Sequence, residues 1–391
     1  MITINIDNFD YSEPWALSFD ERLGMLLSGS LKIAYFYEEP NNSTFRYRAH
    51  NMSEALNFLS DRSVSASYFF LSDLPNVRSI VDAADLLVIC RSRYSLQLNC
   101  LIQRFRCQRK KVLFDIDDLV FDVDYAHLLI NSLANNGASS LVMDQWFAYI
   151  SRMGAALKMC DGAITTNNFL ASRVTEFSGL SAAVVPNFLN SAQQLYSDTI
   201  YSAKTNGEFS TNGKRTLGYF SGSPSHKLDF ALVVPSLAQL LEDDESIELV
   251  VAGYIELEHS LSKFGNRIRY YPFQDYVNLQ KLIASVDLNL VPLQDNIFTN
   301  CKSELKYFEA GVVGVPSVAS PVFTYRGSIS HGENGYLARS YQWTETIARA
   351  LDDISSSKRI ANCARSHSQS NYSWDSQFDT ILNALTPFVN L

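Results

Sequence analysis

The stretch CKSELKYFEAGVVGVPSVAS, residues 301–320, carries two lysines and two glutamates in front of an apolar run. On a helix advancing about 100° per residue, Lys302, Lys306 and Glu309 fall within about 60° of one another. Leu305, Phe308 and Val312 gather on another face, so a packing stripe and a charged stripe share one short helix. Cations at a helix N-terminus oppose the helix dipole, at a few tenths to about 1 kcal/mol each. A bound phosphate reverses the sign, because free backbone N–H groups and lysine would both donate to it. Glu309 lies roughly 10 Å further along at 1.5 Å per residue, near the span from a diphosphate to a ribose. Its carboxylate can accept from two ribose hydroxyls. Solvated lysines with Glu309 paired to one of them are the plain alternative.

Two further groups could do chemistry. KVLFDIDDLVFDVD sets Asp115, Asp117 and Asp118 at the end of an apolar strand, where side chains face a ligand crevice in a parallel sheet. Several readings are open: the metal-dependent nucleophile loop of a phosphohydrolase, the metal-binding D-x-D of a GT-A glycosyltransferase, carboxylates that orient or deprotonate an acceptor hydroxyl, and structural aspartates paired with Arg91 or Arg93. The first lacks a later acidic metal pair and has Leu119 where Thr or Val is expected. Arg46 and Arg48 flank Tyr47 in the loop after the first strand, within reach of a donor or acceptor phosphate. In GYFSGSPSHKLDF, Ser221, Gly222 and Ser223 form a small-residue turn that would let backbone approach a phosphate, with Ser223 as N-cap and Pro224 opening the helix.

These groups need elements to hold them. LKIAYFY, SASYFFL, ADLLVICR, KVLFDIDD, DGAITT and AAVVP are short apolar runs separated by stretches of helical period. A polar stretch, NSAQQLYSDTIYSAKTNGEFSTNGK, interrupts them, and the alternation resumes with RTLGYFSG, IELVVAG, RIRYYPF, VDLNLVPL and VPSVAS. The fold class is α/β, with two Rossmann-like parallel-sheet domains facing a cleft. The expected divisions are an extension over 1–30, a first domain over 31–190, a linker over 191–213, a second domain over 214–355 and C-terminal helices over 356–391.

Composition narrows the class. The 391 residues exceed one ordinary core, and 47% hydrophobic content excludes a largely disordered chain. A net charge of −9 argues against a general grip on nucleic acid, so an anion site must be local. Six cysteines without a C-x-x-C pair indicate neither zinc nor a disulfide framework, and fit a reducing cytoplasm. No apolar run approaches the roughly 20 residues of a membrane span, and the first residues lack the order of a signal peptide. Peripheral contact with the inner face of a membrane remains compatible.

KSELKYFEAGVVGVPSVAS, with HGENGYLA downstream, resembles the C-terminal donor region of retaining GT-B glycosyltransferases of the bacterial polysaccharide (family 4-like) type. Their pattern is a Glu, seven residues, a second Glu, an Ala, a Gly and a Pro-Val strand. Glu309, Ala310, Gly314 and Pro316 match, whereas Cys301 occupies the first Glu position. The resemblance implies a metal-independent enzyme with no cofactor. It would move a sugar from a nucleotide diphosphate sugar to a saccharide or lipid-linked saccharide, as in O-antigen or capsule synthesis. Glu309 would hold the ribose, Lys302 and Lys306 the diphosphate, and Lys302, Ser303 or Glu304 would replace the missing carboxylate. The turn at Ser221 would face the diphosphate with His226 or Lys227 as its basic residue, and Tyr271, Pro272 and Phe273 would receive the base. Asp117 and Asp118, with Lys302, would be the catalytic groups. A magnesium-dependent phosphohydrolase built on Asp115 and Asp117, and a noncatalytic sugar- or nucleotide-binding protein, are the alternatives.

Overall fold

The structure is a computed structural model that describes residues 13, 16–41, 43–58, 63–132, 139–206, 213–223, 226–254 and 259–389. The first lobe is built on β1 (Leu31–Tyr37), β2 (Val64–Phe70), β3 (Leu86–Cys90), β4 (Lys111–Ile116), β5 (Gly162–Thr165) and β6 (Ala182–Val184). They form one parallel sheet in the order β2-β1-β3-β4-β5-β6. The second lobe has β7 (Arg215–Ser221), β8 (Ile247–Gly253), β9 (Ile268–Tyr271), β10 (Leu288–Val291), β11 (Ser317–Ala319) and β12 (Tyr336–Leu337). Its parallel order is β12-β11-β10-β7-β8-β9. Every residue of β2 and of β3 is buried, because helices cover both faces, and such strands read as unbroken apolar runs.

Each sheet has a point where neighbouring connections leave over opposite faces: between β1 and β3 in the first, between β7 and β10 in the second. Ligand crevices form outside the carboxyl ends of the strands at such points. Here both open toward the boundary between the lobes.

The stretch read as a linker is structured at its start. Asn190 caps a helix over Ser191–Thr205 by a reciprocal bond pair with Gln193, and Ser197 of that helix hydrogen-bonds Tyr276 of the second lobe at 3.2 Å. Within the stretch read as an extension, the helix Phe19–Leu26 is likewise packed: it places Arg22 against Asp73 and the Tyr68 carbonyl in buried contact. At the other end, the helix Ile354–Tyr372 lies along the helix Leu305–Val312. A Cβ on Gly311 would stand 2.2 Å from Ser368 Oγ, so only glycine permits that approach. The chain then returns to the first lobe, where Leu189 N–H donates to the Tyr372 carbonyl and the rings of Phe58 and Trp374 meet edge-on at 4.7 Å.

Candidate active site

The charged stripe lies at the β7/β10 switch point, with one correction to its geometry. The helix begins at Leu305, and Lys302 sits in the turn before it, after a short helix over Ile297–Asn300. Lys302 Nζ nevertheless stays in the same neighbourhood, 4.5 Å from the Phe298 ring centroid and 3.4 Å from Asp118 Oδ2 across the lobe boundary. Lys306 Nζ lies 5.2 Å from the Tyr219 ring centroid. Burial, reinforced by the Lys302 charge, pushes its ammonium down to about 8 despite Asp229 and Glu309 nearby. Glu309 is buried, and desolvation pushes it up to about 7 against the pull of Tyr47, Arg46 and Lys306.

Glu309 Oε1 accepts from Tyr47 Oη of the first lobe at 2.6 Å. Tyr47 belongs to a π-helical turn over Arg46–His50, a local geometry often found at functional sites. Arg46 stands 5.5 Å from the ring centroid of Tyr276, so this turn reaches the second lobe at two points. Ser303 Oγ accepts from Asn187 at 3.0 Å, and the Cys301 carbonyl accepts from Asn167 at 2.9 Å. The turn over residues 301–304 is thus clamped by the first lobe.

Cys301 is fully buried and packs with the apolar cluster of the first lobe; burial pushes its thiol far up. It is a packing residue. Glu304, also more than nine-tenths buried, has a different status: its Oε2 has no hydrogen-bond partner among the described residues, and burial raises its carboxyl beside Tyr372. A buried acceptor left open is costly unless a ligand or water meets it.

Ser221, Gly222 and Ser223 do form a turn, closed by Ser221 Oγ donating to the Ser223 carbonyl at 2.9 Å. Its backbone can be approached: a Cβ on Gly222 would meet nothing within 4 Å among the described residues. Beside it, a Cβ on Gly253 would stand 1.8 Å from the Ser221 carbonyl oxygen, so β8 ends tight under this turn. The helix that follows starts at Lys227, with His226 rather than Ser223 in the cap position; Pro224 lies outside the described residues. Lys227 is exposed. His226 is not a third cation. Burial, together with the Lys306 and Lys302 charges, pushes it down to about 4, and Asp229 Oδ2 at 3.0 Å holds its Nδ1. With Nδ1–H donating to Asp229, Nε2 remains an acceptor.

At the ends of β8 and β9, Phe273 and Tyr254 are about half exposed with ring centroids 5.5 Å apart. Tyr271 is half-buried and Pro272 exposed beside them. This is an open aromatic surface rather than core.

In the first lobe the acidic cluster divides. Asp115 and Arg48 form a buried two-point ion pair at 2.7 and 2.8 Å, and Arg48 also donates to the Val185 carbonyl and Asn187 Oδ1. Both are buried and bonded to each other, which leaves them closed to the acceptor or phosphate contact expected of them: the guanidinium is consumed in joining β4 to the loop after β6. Asp117 accepts from Arg91 at 2.8 Å and from Thr44 at 3.1 Å; burial opposes its charge most strongly, but the Arg91 and Arg48 charges and the hydrogen bonds from Arg91 and Thr44 together outweigh it, so its carboxyl lies below the usual range. Asp118 meets Lys302. Among the described residues no group of three His, Cys, Asp or Glu side chains gathers around a common cation position. Tyr47, Arg91, Asn187 and Asp229 were not singled out as site residues from sequence; only the flanking arginines of Tyr47 hinted at it.

Residues 215–357 match the family model described as glycosyl transferases group 1. Over the whole chain the fold is that of GT-B glycosyltransferases. HepE from Anabaena, solved in complex with UDP and glucose, superposes with TM-score 0.59 at 15% identity over 92% of this chain and 100% of its own. Sucrose-phosphate synthase from Thermosynechococcus elongatus gives 0.56 at 13% identity over 91% and 98%. WaaG, a glycosyltransferase involved in lipopolysaccharide biosynthesis, gives 0.56 at 13% identity over 90% and 99%. Among curated proteins no sequence match is found. No helix among the described residues is long and apolar enough to cross a membrane.

Proposed function

We propose that the protein is a retaining, metal-independent glycosyltransferase. It moves a sugar from a nucleotide diphosphate sugar to a saccharide or lipid-linked saccharide in bacterial surface polysaccharide synthesis. The observation that carries this reading is the convergence of Lys302, Lys306 and Glu309 at the β7/β10 switch point, with Asp118 facing them from the other lobe. Retention and the cellular role rest on the resemblance of residues 302–320 to the polysaccharide enzymes.

The donor diphosphate would lie between the Ser221 turn and the two lysines, its ribose on Glu309 and its base against Phe273 and Tyr254. Glu304 Oε2 offers a donor-sugar hydroxyl the carboxylate that Cys301 does not supply. Diphosphate binding draws Lys302 from Asp118. The freed Asp118 then orients the acceptor hydroxyl on the face the diphosphate leaves: the bond from the anomeric carbon to the diphosphate oxygen breaks, the bond to the acceptor oxygen forms on that same face, and the hydroxyl proton passes to the departing diphosphate oxygen, which retains the configuration. The lysines stabilise the charge that develops on the leaving diphosphate, the task a divalent ion performs elsewhere. Asp117, held by Arg91 and Thr44, positions the loop carrying Asp118. The phosphohydrolase reading finds little support, since Asp115 and Asp117 are each engaged by an arginine.

The test is calorimetric binding of UDP, GDP and TDP with and without EDTA, on wild type and Glu309→Ala. The expected result is one diphosphate that binds regardless of EDTA and is weakened by the substitution. Binding that requires magnesium and ignores Glu309 would overturn the reading.

A further inference from the structure

We infer that Asn167 of the first lobe is a positioning residue for the donor: it holds the turn that carries Lys302, so the strength of nucleotide binding depends on a bond between the lobes. This rests on the glycosyl-transfer reading above and names a residue through which that site is set.

The turn has few means of fixing itself. Residues 301–304 run between the helices Ile297–Asn300 and Leu305–Val312, and Glu304, in the cap position of the second helix, makes no side-chain cap bond. The N–H groups of Cys301 and Lys302 donate back to the Phe298 and Thr299 carbonyls. Their carbonyls look outward. That of Lys302 accepts from Thr324 Oγ1 of the second lobe at 2.8 Å, and Asn167 Nδ2 donates to Cys301 at 2.9 Å and to Lys302 at 3.3 Å.

Asn167 can make these bonds in one orientation only. It lies two residues beyond β5, the neighbour of the strand that ends in the acidic cluster, and it is buried. Its Oδ1 accepts the Leu170 N–H at 2.9 Å and so caps the helix Asn168–Ser178. With the oxygen committed to the first lobe, the nitrogen is the end left for the turn, and a carbonyl can only accept. Asn187 is a useful contrast. Its Oδ1 accepts from Arg48 at 3.1 Å, but its Nδ2 meets the Ser303 hydroxyl at 3.0 Å, a group that can donate or accept.

The hold on the backbone is a hold on the charge. Asn167 grips the carbonyl of the residue whose Nζ lies 3.4 Å from Asp118 Oδ2 and 4.5 Å from the Phe298 ring centroid. A shift of the turn carries that ammonium with it, and hydrogen bonds weaken steeply as their distance and angle depart from the optimum. Nucleotide affinity thereby reports whether the lobes are together.

The test is calorimetry on the full chain with whichever of UDP, GDP and TDP the wild type binds. Asn167→Ser keeps a capping oxygen and withdraws the amide, and should weaken binding about three- to tenfold, the worth of one hydrogen bond. Asn167→Asp also keeps the cap but sets a carboxylate against two carbonyls, and should lose at least as much; either variant serves if the other does not fold. Asn187→Asp adds the same charge, yet the Ser303 hydroxyl can then donate to it, so its affinity should stay within about twofold of wild type. In a Lys302→Met background both Asn167 substitutions should cost no more than about twofold, because Asn167 acts through Lys302. Wild-type affinity in the Asn167 variants overturns the assignment. So do losses that add to that of Lys302→Met, or an equal loss in Asn187→Asp, either of which marks general packing. A wild type that binds none of the three diphosphates refutes the transfer reading, and this assignment with it.

Discussion

Tyr47 Oη donates to Glu309 Oε1 at 2.6 Å, joining residues 262 positions apart in the chain and on opposite lobes. The same hydroxyl accepts from Gln193 at 3.1 Å. The first lobe therefore donates to one oxygen of the carboxylate assigned to the donor ribose.

Tyr47 and the ribose compete for Glu309, so Tyr47→Phe should tighten nucleoside diphosphate binding about three- to tenfold, on the order of one hydrogen bond. Calorimetry decides the point. Weaker binding would mean that Tyr47 itself contacts the donor.

Glu309 must be ionised and Lys306 protonated to bind a ribose and a diphosphate. With the first at about 7 and the second at about 8, affinity in the free protein should rise as pH passes 7 and fall beyond 8. Glu309→Gln should remove the acid limb and Lys306→Met the alkaline one. An unchanged profile in both variants would place the titrating groups elsewhere.

The Glu309 shift also bears on stability. Its folded value lies above the usual 4.5, so the folded protein holds this proton more tightly than the unfolded chain. The resulting stability is fully present below 4.5 and lost as pH rises through about 7. Denaturant unfolding across that window should show a smaller decline in Glu309→Gln than in wild type.

Arg48→Met leaves the Asp115 carboxylate buried and unpaired, at a cost of about 3–5 kcal/mol. Replacing Asp115 by Leu in the same chain should restore much of that loss. Nucleoside diphosphate affinity of the folded variants should stay at the wild-type level, since the two are buried and bonded to each other; a drop would return Arg48 to the binding site.

Lys302→Met should weaken nucleoside diphosphate binding about 10- to 100-fold, the worth of one charged hydrogen bond. Asp118→Asn should leave that binding intact or slightly tighter, because it releases Lys302, and should lower kcat for transfer. Equal loss of nucleotide binding in both variants would make the pair a structural clasp.

Eleven of the twelve strands, their division into two sheets and the charged stretch before the second β-α switch point were readable in the chain. Strands buried on both faces are written as continuous apolar runs, and that signal is local. β12 has two residues, too few to show a period. Local periodicity also placed Lys302 on the helix, although the chain spends residues 301–304 in a turn held by Asn167 and Asn187 of the other lobe. Which charges are spent was decided only by tertiary structure. Arg46, Arg48, Asp115 and Asp117 look alike as sequence, yet folding buries Arg48 with Asp115, turns Asp117 to Arg91 and leaves Asp118 to Lys302. A charge's role depends on its desolvation and its nearest partner, and both are set by segments far away in the chain.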